Sequence, residues 1–253
     1  MLEVCIDSLE SALNAIHGGA DELEVCSSLT EGGLTPSVGL LKSIKKAINT
    51  ISSGNLTIKK PKVNVMIRCR TGSDFIYSEP EMETMMTDIY TFKEIGVDRF
   101  VFGSLTDTQE IDKEKCMRVV KASFPVPVTF HRAFDMCKEP KKAIEQLITI
   151  KFDRVLTSGQ RPSVNCVDAI ELIKFLLESY GDKIDVMPGA GVNENNAKSL
   201  IELGCKIVHS SCKILRPLPK VDHQLAMGTS DSEFVYVTDE SIVRRTKEAV
   251  ILV

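Results

Sequence analysis

Eight short apolar or alternating runs, each followed by a stretch of helical periodicity, recur along this chain and restrict its possible folds more than any other feature. The runs are Leu2 to Asp7, Glu22 to Cys26, Val63 to Arg70, Arg99 to Leu105, Val126 to Phe134, Arg154 to Ser158, Ile184 to Pro188 and Lys206 to Ser211. Such runs bounded by turn residues read as strands, and apolar spacings of three and four between them read as helices. The helical stretches are Ser8 to Gly18, Pro36 to Asn49, Glu79 to Ile95, Asp112 to Ala122, Lys138 to Ile150, Cys166 to Ser179, Asn193 to Leu203 and Asp239 to Val250. Pro36 suits a first helical turn and Asn193 an N-cap, while Gly18, Gly96, Gly181 and Gly204 are expected to end helices in the left-handed conformation.

Repeated strand–helix units call for parallel strands, and eight of them in 253 residues match the size of a single-domain α/β fold, the (β/α)8 TIM-type barrel. An open doubly wound sheet competes, but it normally has a glycine-rich turn after its first strand, and Asp7-Ser8-Leu9-Glu10 has no glycine. No Pro/Gly/Ser-rich linker divides the chain, so residues 1–253 read as one domain. Ser52-Ser53-Gly54-Asn55 reads as a loop insertion, and 212–238 as an irregular segment before the last helix.

Composition narrows the partners. The formal net charge is -4 with the basic residues scattered, which argues against a nucleic-acid partner. No apolar run is long enough to span a bilayer, and no secretory leader pattern opens the chain, so no membrane role is expected. The eight cysteines show none of the close pairs of a structural zinc site, and in a chain this long they read as reduced thiols in the cytosol.

Strand side chains alternate between faces, and the apolar set must pack against the helices. That leaves an unusually polar set for the lumen: Glu3, Cys5 and Asp7; Glu24 and Cys26; Asn64, Met66, Arg68 and Arg70; Thr129 and His131; His209 and Ser211. Glu3, Asn64 and Asp185 lie early in their strands and read as parts of a buried ion-pair network. Cys5, Asp7, Cys26, Arg68, Arg70, His131, Asp135 and His209 lie at or just past the C-terminal strand ends, where barrel active sites are built.

Three constellations follow. Gly189-Ala190-Gly191 after the seventh strand, with Ser211 after the eighth, has the pattern of an oxyanion cradle, and Arg68 or Arg70 is a candidate clamp opposite it. His131 is a candidate acid or base oriented by Asp135 or Glu24, with His209 on the same mouth. Cys5 and Cys26 end adjacent strands, and two soft thiolates favour Cu(I) over hard cations, although buried cysteines also serve as small hydrophobes. No lysine ends a strand, which disfavours Schiff-base chemistry.

The chain resembles the CutC copper-homeostasis family through Met1-Leu2-Glu3-Val4-Cys5-Ile6-Asp7-Ser8, Glu24-Val25-Cys26, Glu31-Gly32-Gly33-Leu34-Thr35-Pro36-Ser37, Val65-Met66-Ile67-Arg68, Pro127-Val128-Thr129-Phe130-His131-Arg132-Ala133-Phe134-Asp135-Met136 and Val186-Met187-Pro188-Gly189. The resemblance implies a TIM-type barrel, a cytoplasmic and also nuclear protein that self-associates as a dimer or tetramer, and a role linked to copper. From the animal members it implies Cu(I) bound at positions matching Cys5 and Cys26. Two departures stand out: the family's Arg-Pro-Arg-Gly-Gly-Asp becomes the longer Arg68-Cys69-Arg70-Thr71-Gly72-Ser73-Asp74, and its Gly-Gly-Gly becomes Gly189-Ala190-Gly191. The leading expectation is therefore Cu(I) binding with a part in copper tolerance or trafficking. The alternative is a barrel enzyme acting on a small anionic, phosphorylated metabolite at the same mouth, with His131, Asp135, Arg68, Glu24 and His209 as its catalytic set.

Overall fold

Every predicted strand run forms a strand, but most are shorter than their apolar runs. In the computed structural model, which describes residues 1–54, 59–219 and 233–251, the strands are β1 Leu2–Ile6, β2 Glu22–Val25, β3 Lys62–Met66, β4 Arg99–Phe102, β5 Val128–Phe130, β6 Arg154–Thr157, β7 Asp185–Pro188 and β8 Val208–Ser210. All are parallel, in the order β7-β6-β5-β4-β3-β2-β1-β8, and β7 packs beside β8 so that the sheet curls into a nearly closed barrel. The chain is therefore a TIM-type barrel. The runs overshoot because the last residues of each leave the ladder to form the mouth, where Arg68 and His131 stand just beyond the ends of β3 and β5.

Among the described residues eight α-helices cover the barrel: α1 Leu9–His17, α2 Val38–Gly54, α3 Glu79–Ile95, α4 Lys113–Ser123, α5 Pro140–Ile150, α6 Val167–Tyr180, α7 Ala197–Glu202 and α8 Glu240–Ile251. Their apolar stripes meet the outward Leu, Val and Ile of the strands in one continuous core. Helix α2 begins after Pro36, since the Ser37 hydroxyl accepts from Leu40 N at 3.1 Å, and it runs through Ser52, Ser53 and Gly54 where a loop was expected; Asn55 lies outside the described residues. Asn193 caps only a turn, accepting from Asn195 N, so α7 starts later than expected.

Gly96 and Gly204 have the expected positive φ, but Gly18 and Gly181 are right-handed. Close approach explains them instead: a Cβ on Gly18 would stand 2.5 Å from the Val243 Cβ of α8, and one on Gly181 would stand 2.6 Å from the Leu177 carbonyl oxygen. The segment expected to be irregular contains an antiparallel pair, β9 Lys213–Pro217 with β10 Phe234–Thr238, which the alternating Phe234-Val235-Tyr236-Val237 could have signalled. Residues 220–232 of that segment lie outside the described ones.

The lower lumen is a buried polar network. The Asn64 amide donates to Glu3 Oε2 at 2.5 Å and Glu22 Oε2 at 2.7 Å, and Arg154 Nη1 pairs with Glu22 at 2.7 Å and Glu3 at 3.7 Å. Glu3 and Asn64 thus join the expected network, whereas Asp185 stands at the bottom rim, half-buried, and pairs with Lys206. Glu22 and Arg154 were not singled out from the sequence, although each is a charge that opens its strand. All eight cysteines are free thiols.

Candidate functional site

The strand ends surround a cavity of about 530 Å³ lined on one side by Cys5, Glu24 and His209 and on the other by Arg68, Phe75 and His131. On the first side, β1 and β2 pair so that Cys5 stands opposite Glu24, and Glu3 stands opposite His209 across β1 and β8. One ligand atom from each of Cys5, Glu24 and His209 lies within 4.8 Å of the others, and all three residues are buried. His209 Nδ1 is 2.7 Å from Glu3 Oε1, which leaves Nε2 toward Glu24 Oε2 at 3.8 Å. Burial opposes the imidazolium, yet the Cys5, Glu24 and Glu3 groups around it hold its pKa well above the ordinary value. Burial likewise opposes the Glu3 carboxylate, but His209 and Arg154 keep its pKa low, whereas burial raises Glu24 to about 7 and leaves its Oε1 without a partner.

Cys26 does not join this group. Its thiol donates to Glu24 Oε2 at 3.5 Å, and the side chain is fully buried with Met66 and Val101, with burial and Glu24 pushing its pKa up. The inward parity of Cys5 and Cys26 is as read from the sequence, but the register sets a carboxylate, not the second thiol, directly across from Cys5.

On the opposite side His131 is oriented not by Asp135 or Glu24 but by the backbone: Nδ1 accepts from Ala133 N at 3.2 Å, so the neutral ring carries its hydrogen on Nε2. Gly103 makes room for this ring, since a Cβ there would stand 2.5 Å from Nδ1. Burial, then the Arg68 charge, pushes the His131 pKa down to about 3, and Nε2 has no partner among the described residues. A histidine held neutral donates a hydrogen bond rather than shuttling protons near pH 7. Asp135 is committed elsewhere, accepting from Thr157 Oγ1, Ser158 N and Arg132 Nε.

Arg68 is 5% exposed and reaches no carboxylate among the described residues; its Nη1 donates to the Glu31 and Gly33 carbonyls, and its Nη2 to that of Gly72. Arg70 turns away from the cavity to Asp74 and Glu81, so the two arginines do not form a joint clamp. The loop after β7 borders the cavity through Ala190 and Gly191, with Ser211 nearby, but Gly189 N donates to the Thr157 carbonyl and Gly189 itself packs against Leu156 and His209. The Gly189 N–H is therefore not available to an oxyanion cradle. Lys213, in β9, reaches the rim with its ammonium over the Tyr236 ring at 3.8 Å, a position the strand-end pattern did not reveal. Phe75 was missed too, because nothing about a lone phenylalanine in a loop signals a cavity wall.

Comparison with known proteins bears on this mouth. Residues 1–214 match the model of the CutC family. The copper homeostasis protein cutC homolog of Homo sapiens is 44% identical over 96% of this chain and 86% of its own length. The homolog of Caenorhabditis elegans is 42% identical, covering 97% and 93%. A crystal structure of the copper homeostasis protein CutC of Streptococcus agalactiae superposes with a TM-score of 0.74 at 31% identity, over 83% of this chain and 98% of that one. Thiamine phosphate pyrophosphorylase of Pyrococcus furiosus, at 12% identity and a TM-score of 0.59, shares the barrel fold alone.

Proposed function

The chain belongs to the CutC family, and from that premise we propose that it acts in copper homeostasis by holding Cu(I) at the barrel mouth through Cys5 and His209. The observation that carries this reading is the mutual proximity of Cys5, Glu24 and His209. A thiolate and an imidazole suit Cu(I), whereas hard cations would call for several oxygens. Glu3 on Nδ1 fixes the ring and leaves Nε2 as its ligating nitrogen, the usual outer arrangement of a metal-bound histidine. Copper must displace the His209 proton, so affinity rises with pH. Cys26 backs the site through Glu24, and Glu24 sets the local charge.

This reading carries the family's other expectations: a cytoplasmic, and also nuclear, protein that assembles as a dimer or tetramer and serves copper tolerance or trafficking. Its test is X-ray absorption on protein loaded anaerobically with one equivalent of Cu(I). A mixed shell with one sulfur and one imidazole nitrogen is expected. Two sulfurs without nitrogen would mean that Cys5 and Cys26 form the ligand pair.

A further inference from the structure

We propose that the cavity also holds a small organic carboxylate, bound against Arg68 and His131 beside Phe75. The argument starts from charge. A buried guanidinium without a counter-ion is costly, and buried charges in proteins are normally paired. Arg68 breaks that pattern: three backbone carbonyls take part of its fork, its Nε is buried with no partner, and no carboxylate among the described residues is within ion-pair distance. The other cations around the cavity are matched or wet, since Arg132 pairs with Asp135, His209 with Glu3, and Lys213 is solvent-exposed. One unmatched buried positive charge therefore faces this space.

A second group repeats the signal. His131 is 3% exposed, and its Nε2, which carries the ring hydrogen, is also without a partner. Both orphaned groups lie beside one side chain, with the Phe75 ring centroid 4.9 Å from that of His131 and 5.4 Å from Arg68 Cζ. An apolar ring beside two unmet donors leaves their hydrogen bonds to a ligand whose binding moves that ring. The backbone there is fixed, the Phe75 carbonyl accepting from Leu105 N at 2.9 Å, so side-chain rotation suffices.

The ligand's class follows from the donors. A single guanidinium with a neutral N–H beside it matches one negative charge spread over two planar oxygens. A phosphate dianion calls for more donors than this pair supplies, and Gly189 N, in the turn after β7, is already spent on the Thr157 carbonyl. Leu29, Met66 and Leu156 on the walls favour an apolar body of modest size in about 530 Å³. This site does not depend on copper; it keeps the Arg68 clamp of the phosphorylated-metabolite expectation but differs from it in the charge of the ligand and in doing without the Gly189 cradle.

The test uses the full-length, metal-free, reduced protein with benzoate and 3-phenylpropionate as probes, their neutral amides as controls, and phenyl phosphate as the competing class. Either carboxylate should raise the melting temperature and shift the His131 Nε2 proton resonance of the wild type, while the amides do neither. Arg68→Gln should weaken carboxylate binding by about tenfold or more, the scale of a charge-assisted hydrogen bond. Equal stabilisation by the amides, binding of phenyl phosphate alone, or no response to any probe would overturn the proposal. The His131 resonance is read on the wild type, so the test stands even if Arg68→Gln does not fold.

Discussion

Two histidines share one cavity and are held in opposite protonation states by their neighbours. His131, pushed down to about 3, should keep the neutral imidazole pattern in nitrogen-15 spectra down to pH 5, while His209 should remain an imidazolium at pH 7.5 in metal-free protein. For His131 the unfolded chain binds the proton below about 6.5 and the folded chain does not, so folding stability falls as pH drops from about 6.5 toward 3. His131→Gln should flatten that dependence by up to about 1.4 kcal/mol per pH unit in chemical denaturation. An unchanged slope would show that His131 is protonated in the folded protein. Residue-scale strain is equally testable at Ala190, a non-glycine at φ +67° where the family's pattern has glycine. Ala190→Gly should stabilise the fold by about 1 kcal/mol, raising the melting temperature by about 2–4 °C.

At the scale of elements, what was legible from the sequence was decided by periodicity, and what was not was decided by contacts between distant segments. Leu2, Val4 and Ile6 alternate with Glu3 and Cys5, so the inward set of β1 could be read directly. The register of β1 against β2, which faces Cys5 with Glu24, depends on how two strands slide past each other and leaves no mark in either. Gly18 ends α1 as read, but it is right-handed and its lack of a side chain serves a contact with α8, more than two hundred residues away in sequence. The β9–β10 hairpin was hidden because β9 and β10 are separated by a long intervening segment. The lower network joins β1, β2, β3, β6 and β8 through Glu3, Glu22, Asn64, Arg154 and His209. Arg154→Met leaves Glu22 buried without its cation, Glu3 keeping His209, and should cost about 3–5 kcal/mol in urea unfolding. A loss under about 1 kcal/mol would mean that water or protonation replaces the arginine.

The whole molecule places polar chemistry inside a barrel whose helices make a conventional apolar core around it. Two sets of side chains meet at one mouth: Cys5, Glu24 and His209 from β1, β2 and β8, and the Arg68 guanidinium with the neutral His131 from just beyond the ends of β3 and β5. The proposed copper site draws on the first set, and the proposed carboxylate site on the second. The most direct test of copper handling is anaerobic Cu(I) titration against a chelator of known affinity, comparing the wild type with Cys5→Ser, Cys26→Ser and His209→Gln. One ion per chain should bind tightly to the wild type, be lost in Cys5→Ser, weaken about tenfold or more in His209→Gln, and persist in Cys26→Ser. Stoichiometric copper retained by Cys5→Ser would contradict a copper site at this mouth.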